Sequence, residues 1–462
     1  MDRTKKNAAF IIILIIAVLI VFFYINKPPA TSARNLIFIL VDSLRSDHLN
    51  CYGYSRTISP NIDQLAREGI LFKNSLSQSS WTKPSLSSIL TANHPTSIGI
   101  TGMNDVIIGN ITTIAELLKK AGFHTAAFIA NPYAGKEHGF AQGFDEYHTL
   151  FSQNPSEYKI NADELNREVF KWLDKNKDRK FFLMIFYLEP HTPYAPPEPY
   201  DRLFSPVSRA SENLWKEKPS DPSEDYLKTL IDLYDGEIGF LDHELGRLFE
   251  KLKKLGLWEN SLIALNADHG EEFFDHSGWQ HSHTLYEELI RVPLIIKGPG
   301  LPQGMKVKTP VQHIEIFPTL FSLLGLKQSP TFTGQPATDL IEDPDTIVNK
   351  LTYHETYLPG KSFIAARGMK WKIIYDLEKK TYQFFDLSKD PNEKNDLIAA
   401  GGGTSTPNLN SGTRKNFEFF KTSLHRLADQ AGKLRSQRRA FRGVKYDLEA
   451  MRLLEGLGYT GN

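Results

Sequence analysis

The sequence predicts an α/β fold: a doubly wound, mainly parallel sheet flanked by helices, with a small antiparallel C-terminal subdomain, a helical tail and an N-terminal transmembrane helix. Three observations point there. Continuous apolar, β-branched-rich runs alternate with helical patterns, as strands buried on both faces of a parallel sheet do. After about Gly334 the pattern changes to short strand-like runs separated by turn residues. An uncharged apolar run of 18 residues, Ala8 to Ile25, follows Arg3, Lys5 and Lys6 at the amino end.

At about 1.5 Å per residue, such a run spans about 27 Å, close to the hydrocarbon core of a bilayer. The basic flank places the amino end in the cytoplasm and the body outside it, as a single-pass membrane protein. A cleaved signal peptide competes with this reading. The run is longer than a signal core and no small-x-small site follows it, so an uncleaved signal-anchor is expected. Residues 1–33 therefore read as basic tip, anchor and linker, with Lys27–Ser32 as the linker.

A large α/β domain is expected over residues 34–334. Asn35–Val41 reads as its first strand, Ile111–Ala121 as a helix closed by Gly122, and His124–Ala130 and Lys180–Leu188 as strands. Leu230–Leu255 is amphipathic and helical, closed by Gly256, and Ser261–Asn266 and Val292–Lys297 are further strands. Residues 335–400 form the antiparallel subdomain, with strands at Lys361–Arg367, Trp371–Asp376 and Tyr382–Leu387. Residues 401–462 make a flexible loop, Gly401–Ser411, and a basic helical tail whose Arg435–Arg442 charge run reads as a solvated face.

Lys+Arg and Asp+Glu both total 54, so net charge gives no reason to expect nucleic-acid binding. The single cysteine, Cys51, forms no intrachain disulfide and reads as a small buried residue.

In open α/β sheets, ligands collect at the carboxyl ends of strands. Asp42 ends the first strand run, and Asp268 and His269 end the Ser261 run. One such acid is an ordinary helix cap; two placements of this kind point to a site. Asp42, Asp268 and His269, with the Thr82 hydroxyl, are the expected ligands of one divalent metal ion. Mixed oxygen and nitrogen donors suit Mg, Mn or Zn, and Ca prefers oxygen throughout; the choice among the four is open. Thr82 precedes a helical pattern that starts at Ser85, which puts its hydroxyl at a helix amino end where a tetrahedral anion is favoured. The alternative is that Thr82 only caps the helix. Arg45 is expected to brace an anion oxygen through its fork of donors, and Lys83 to do so as a point charge. The implied chemistry is attack of a metal-activated hydroxyl on a sulfate or phosphate ester.

Several strings occur in a set order: NLIFILVDSLRSDHLNCYGY, SSWTKPSLSSILTANHP, GFHTAAFIAN, EPHTPYAPP, NADHGEEF, HSHTLYEELIRVPLII, FFDLSKDPNEKNDL and LLEGLGY. From about Asn35 to Asp396 the chain resembles the sulfatase family of the alkaline-phosphatase superfamily. The resemblance implies that Asp42 is the first metal ligand, that Asp268 and His269 belong to the second metal motif, and that His191 lies on the substrate-histidine loop. His191 and His283 are the candidates to protonate the leaving oxygen, with His281 behind them. His281 and His283 flank Ser282, and extended spacing predicts both on one face.

The departures from the family pattern carry chemistry. Sulfatases have Cys or Ser, oxidised to formylglycine, where this chain has Thr82; the same oxidation of Thr gives a ketone, so no formylglycine is expected. The customary Arg is Leu86, the second Asp of the D-D pair is Ser43, and the G-K-x-H lysine is absent in register, where Ile129, Ala130 and Asn131 stand. The nearby Gly135-Lys136-Glu137-His138 is displaced. Thr nucleophiles resemble the phospho-transferring relatives, the membrane-anchored phosphoglycerol and phosphoethanolamine transferases, and imply a covalent intermediate on Thr82. The expectation is a hydrolase or transferase acting outside the cytoplasm on an anionic ester of a glycan, lipid headgroup or envelope polymer. The loops at Asn131–Tyr158 and Tyr194–Glu224 are where its specificity is expected. The alternative is a non-catalytic, membrane-tethered binding protein that keeps the fold.

Overall fold

The computed structural model describes residues 31–151, 160–205, 214–348, 350–399 and 409–437. The Ala8–Ile25 run, residues 401–408 and the tail beyond Gln437 lie outside these. Among the described residues no helix is long and apolar enough to cross a membrane.

One eight-stranded sheet contains β1 (Asn35–Val41), β2 (Ile70–Phe72), β3 (His124–Ile129), β4 (Glu146–Thr149), β5 (Phe181–Tyr187), β6 (Ser261–Ala267), β7 (Leu294–Lys297) and β8 (Met305–Val307). Their order is β8-β2-β7-β6-β1-β5-β3-β4. β1 is central, and its alternate residues feed two cores. Ile37, Ile39 and Val41 face helices α1 (Pro60–Glu68), α4 (Ala162–Asn176) and α5 (Glu224–Lys254). Leu36, Phe38 and Leu40 face α2 (Thr82–Thr91), α3 (Ile114–Lys120) and α6 (His313–Leu323). Each such side chain contributes about 1.5–3 kcal/mol on burial, which is why the run is apolar from Leu36 until it leaves the sheet at Asp42.

Local chemistry sets the element ends. Thr113 and Glu116 form a capping box, so α3 starts at Ile114 rather than Ile111. Ser223 caps α5, which starts one and a half turns before the expected Leu230 because its first turn is acidic and lacks the apolar stripe. Pro293 splits the expected Val292–Lys297 strand. Arg291–Val292 pairs with Ser75–Leu76, and β7 enters the main sheet antiparallel to β6 and β2. Cys51 is half-buried, and burial pushes its thiol up to about 12.

The C-terminal sheet is a meander of β9 (Thr352–Leu358), β10 (Lys361–Arg367), β11 (Trp371–Asp376) and β12 (Thr381–Asp386). Its first strand was not among the expected three. One face of the sheet packs on Phe417, Phe420 and Leu424 of α7 (Ser411–Gln437). The other face docks on the large domain through an apolar cluster, Ala365, Ile374 and Phe385 against Leu76, Leu289 and Ile290, and through ions. Lys372, fully buried, reaches Glu287 at 3.1 Å and Glu393 at 2.9 Å, and Arg367 reaches Glu287 at 3.4 Å.

Removing Lys372 strands the buried Glu393 carboxylate and leaves Glu287 with Arg367 alone. Lys372→Met is expected to lower unfolding stability by about 3–5 kcal/mol, read from urea midpoints. Burial also pushes His313 and His354 down to about 3 and His94 down to about 4, from an ordinary 6.5. The unfolded chain takes up those protons at higher pH than the folded chain. Stability is therefore full above pH 6.5 and declines as pH falls from 6.5 toward 4, by up to about 1 kcal/mol per pH unit per histidine. His354→Gln is expected to make that decline shallower.

Candidate active site

β1 and β6 are parallel neighbours with Val41 opposite Ala267, so Asp42 and Asp268 leave the sheet side by side at its carboxyl edge. The Asp268 amide still donates to Val41 O at 3.2 Å, and the Asp42 amide to Tyr187 O at 3.1 Å. His269 follows at once. Its Nε2 lies 3.6 Å from Asp42 Oδ1 and 3.5 Å from Asp268 Oδ2, and one ligand atom from each of the three residues falls within 4.8 Å of the others. All three side chains are fully buried. A Cβ on Gly270 would meet Glu288 O at 1.9 Å, so only glycine lets the loop after His269 close against that segment.

Two buried carboxylates side by side are electrostatically unstable alone. Burial, then the charge of Asp268, raises the Asp42 carboxyl well above its ordinary range. Burial pushes Asp268 up to about 7, opposed by hydrogen bonds from the Ser43 and His269 amides and by the Thr82 hydroxyl. Among the described residues no lysine or arginine pairs with either carboxylate. His269 Nδ1 donates to Gly270 O at 2.8 Å, which leaves the Nε2 lone pair aimed at the acids. Two oxygen donors and one imidazole, buried without a balancing cation, fit one divalent metal ion.

The surrounding side chains hold this group in place. Ser43 adopts φ 55°, the left-handed region, and so turns its amide onto Asp268 Oδ1 at 3.1 Å and its hydroxyl onto Asp42 Oδ1 at 3.0 Å. Asn131 donates its amide to Asp42 Oδ2. No role was expected for Asn131, although the signal was present: it stands just past β3, at the same carboxyl edge.

Thr82 is the first residue of α2, and Trp81 occupies the cap position. The helix thus starts three residues before the expected Ser85, and Thr82 is not its cap. Thr82 Oγ1 lies 3.3 Å from His269 Nε2. Ser85 ties the same turn to the metal-ligand loop, donating to Asp268 O at 2.6 Å and meeting His313 Nδ1 at 3.1 Å and Ser77 Oγ at 3.1 Å.

The other expected site residues divide. His191 is fully buried, donates from Nδ1 to Thr192 O at 2.6 Å, and has its ring 5.0 Å from that of His281. The His281 ring is 4.4 Å from that of His269, and its Nδ1 bonds Glu271 Oε1 at 2.9 Å. His283 does not share this face. Ser282 has φ 78°, which breaks the extended alternation, and His283 turns to Glu272 Oε2 at 2.6 Å and His281 O at 3.1 Å. Both of its ring nitrogens are thereby engaged, and of the two it is His281 that lies beside His269. Arg45 is also corrected. Its donors go to Asp47 at 3.0 and 2.8 Å, to Asp275 at 2.8 and 3.4 Å and to Glu271 O at 3.1 Å, which accounts for the whole fork. Lys83 is buried, which pushes its amine down to about 7, and it donates to the carbonyls of Met103 and Asp105.

The sulfatase family model matches residues 34–326, and an N-sulphoglucosamine sulphohydrolase C-terminal model matches residues 275–407. The chain is similar to an arylsulfatase of Clostridium perfringens, 26% identical over 433 residues that cover 79% of this chain and 90% of that one. A solved structure in complex with its substrate D-glucosamine-2-N,6-O-disulfate superposes with a TM-score of 0.72 at 19% identity, covering 87% of this chain and 98% of that one. The phosphonate monoester hydrolase of Agrobacterium radiobacter does so with a TM-score of 0.70 at 20% identity, covering 88% and 96%. These two structures share the fold.

Calorimetric titration with Mn²⁺, Zn²⁺, Mg²⁺ and Ca²⁺ tests the ligand set. One ion is expected to bind per chain. Asp268→Asn is expected to weaken it by at least about 100-fold, and Asn131→Ala, which acts through Asp42, by about 10-fold.

Proposed function

The chain belongs to the sulfatase family, and on that premise we propose that it is a metal-dependent hydrolase of anionic esters, sulfate esters first, with the Thr82 oxygen as nucleophile. The observation that carries this reading is the 3.3 Å approach of Thr82 Oγ1 to His269 Nε2, beside Asp42 and Asp268. The family names the ester class, and the similar arylsulfatase supports sulfate as the group transferred.

Asp42, Asp268 and His269, with Thr82, would hold the cation, which when bound lowers the pKa of a neighbouring hydroxyl and offsets the ester's negative charge. The first turn of α2 adds its dipole at the same place. As the Thr82 oxygen bonds to sulfur, the ester S–O bond breaks. The hydroxyl proton must leave and the departing oxygen must gain one. His191 and His281 stand beside the group for that transfer. Burial, then the nearby His269, holds the His281 imidazole well below its ordinary value, so it starts neutral and able to accept. Glu271 fixes its tautomer through Nδ1. Water then attacks the Thr82-linked group, its proton returns through an imidazole, and the hydroxyl is regenerated.

A phosphate or phosphonate monoester is the second reading. Thr82 is a secondary alcohol that cannot become an aldehyde, and a plain hydroxyl suits phosphoryl transfer; the fold likeness to a phosphonate monoester hydrolase accords with this. The Ala8–Ile25 run supports a membrane anchor with the body outside the cytoplasm. The chain enters the body at Thr31, whose amide donates to Leu323 O at 2.7 Å, and runs into the amino end of β1, opposite the carboxyl edge that carries the site.

The test is a panel of sulfate, phosphate and phosphonate esters with the metal-loaded chain. Thr82→Ala is expected to lose about 10³-fold or more in turnover while keeping its fold. High-resolution mass spectrometry of the quenched wild type should find the transferred group on the Thr82 peptide. Full activity in Thr82→Ala removes the nucleophile. Turnover of phosphonates alone selects the second reading, and a chain that takes up none of the four cations and turns over no ester in their presence selects a binding protein.

A further inference from the structure

The turn that carries Ser43 is not held by its own backbone. Its left-handed φ of 55° is one that a β-carbon disfavours, yet it is what points the Ser43 amide at Asp268 and the Ser43 hydroxyl at Asp42. Among the described residues, neither the Ser43 carbonyl nor the Arg45 amide pairs with another backbone group. Both go to one side chain instead. The Tyr234 hydroxyl, on α5, donates to Ser43 O at 2.7 Å and accepts from the Arg45 amide at 2.9 Å. One phenol oxygen thus closes a loop around the buried Leu44 that the backbone leaves open.

The phenol is itself fixed. Tyr234 is fully buried, and its ring packs against His48, Phe273 and Tyr194 with centroids 5.1, 4.9 and 5.9 Å away. The next residue, Asp235, takes the far end of the same segment. Its carboxylate bonds His48 Nδ1 at 2.7 Å and accepts from the Tyr54 hydroxyl at 2.6 Å and from Arg56 at 2.7 Å. Two adjacent residues of a 31-residue helix packed on the sheet therefore hold both ends of the chain between Ser43 and Arg56. The strained turn borrows its rigidity from α5.

We propose that Tyr234 is a positioning residue for the cation: its hydroxyl keeps Ser43 left-handed, and Ser43 in turn sets Asp42 and Asp268. Tyr234 acts through Ser43 rather than on the ion. Without the hydroxyl, Ser43 is free to return to a negative φ, which withdraws its amide from Asp268 and its own hydroxyl from Asp42. This rests on the reading of Asp42, Asp268 and His269 as a metal centre.

The test is Tyr234→Phe in the full chain, which keeps the ring and removes the oxygen. Mn²⁺ affinity, measured calorimetrically, is expected to fall about tenfold. Two buried bonds are lost whatever Tyr234 does for the site, so a drop in stability alone decides nothing. The decisive comparison is with Ser43→Gly, because glycine takes a left-handed φ without steric cost. In that background Tyr234→Phe is expected to lower Mn²⁺ affinity by no more than about twofold. A tyrosine that only supports the fold would show the same loss in both backgrounds. Equal losses, or full affinity in Tyr234→Phe, overturn the proposal. Where Tyr234→Phe does not fold, linkage gives the measurement in the wild type. A clamp that favours the ion is favoured by it, so saturating Mn²⁺ is expected to slow hydrogen exchange at the Arg45 amide about tenfold, read by mass spectrometry. Unchanged exchange overturns the proposal. A wild type that takes up no cation overturns the metal reading itself, and the role of Tyr234 with it.

Discussion

The site depends on one awkward juxtaposition: the carboxylates of Asp42 and Asp268, buried at the ends of adjacent parallel strands. At about 4 Å, two such charges repel by about 4 kcal/mol even at an effective dielectric of 20, and burial adds several more per ion. The sheet cannot relieve this by moving them. β1 is packed on both faces, and its register with β6 holds Val41 opposite Ala267. The local devices bring the acids closer. Ser43 accepts a left-handed backbone to bond both, and Gly270 lets the His269 loop close. Strain and repulsion gathered at one point, with an imidazole nitrogen aimed into it, make a place for a cation.

The segment that carries Thr82 is held against that place from several directions. Ser85 joins the start of α2 to the Asp268 carbonyl and to His313. The chain before it is fastened to the C-terminal sheet: Glu355 N donates to Gln78 O at 2.8 Å, and the His354 ring bonds Ser77 O at 2.6 Å. The small sheet therefore forms part of the wall that positions Thr82, and the buried Lys372 network fixes that wall to the large domain.

What could be read in advance follows from the range of each interaction. Asn35–Val41 and Ser261–Ala267 announce themselves because burial on two faces demands mainly apolar runs, and the acids that end them mark the sheet edge. Asp42, Asp268 and His269 could be named for that reason, and Thr82 from the helical pattern that follows it. The fates of Arg45 and His283 depend on partners far away in sequence or on one backbone angle. Asp275 lies 230 residues from Arg45, and the left-handed Ser282 redirects His283 while leaving His281 in place. Thr352–Leu358 escaped because it is mostly polar: Tyr353 joins the apolar cluster beside α7, while His354 and Glu355 are buried by bonding Ser77 and Gln78.

The substitutions at the nucleophile segment are mutually consistent. Leu86, where the family's customary residue is Arg, is fully buried in the apolar core beneath α2 with Ile89 and Leu40. A guanidinium in that apolar core would be buried at a cost of several kcal/mol. Ser43, in place of a second acid, spares the site a third negative charge and supplies donors to the two acids present. Lys83 is drawn to the Met103 and Asp105 carbonyls and so anchors the first turn. Each change suits an unmodified hydroxyl at Thr82, supported by the helix start and the metal ligands. Each also accords with the proposal that the Thr82 hydroxyl itself reacts.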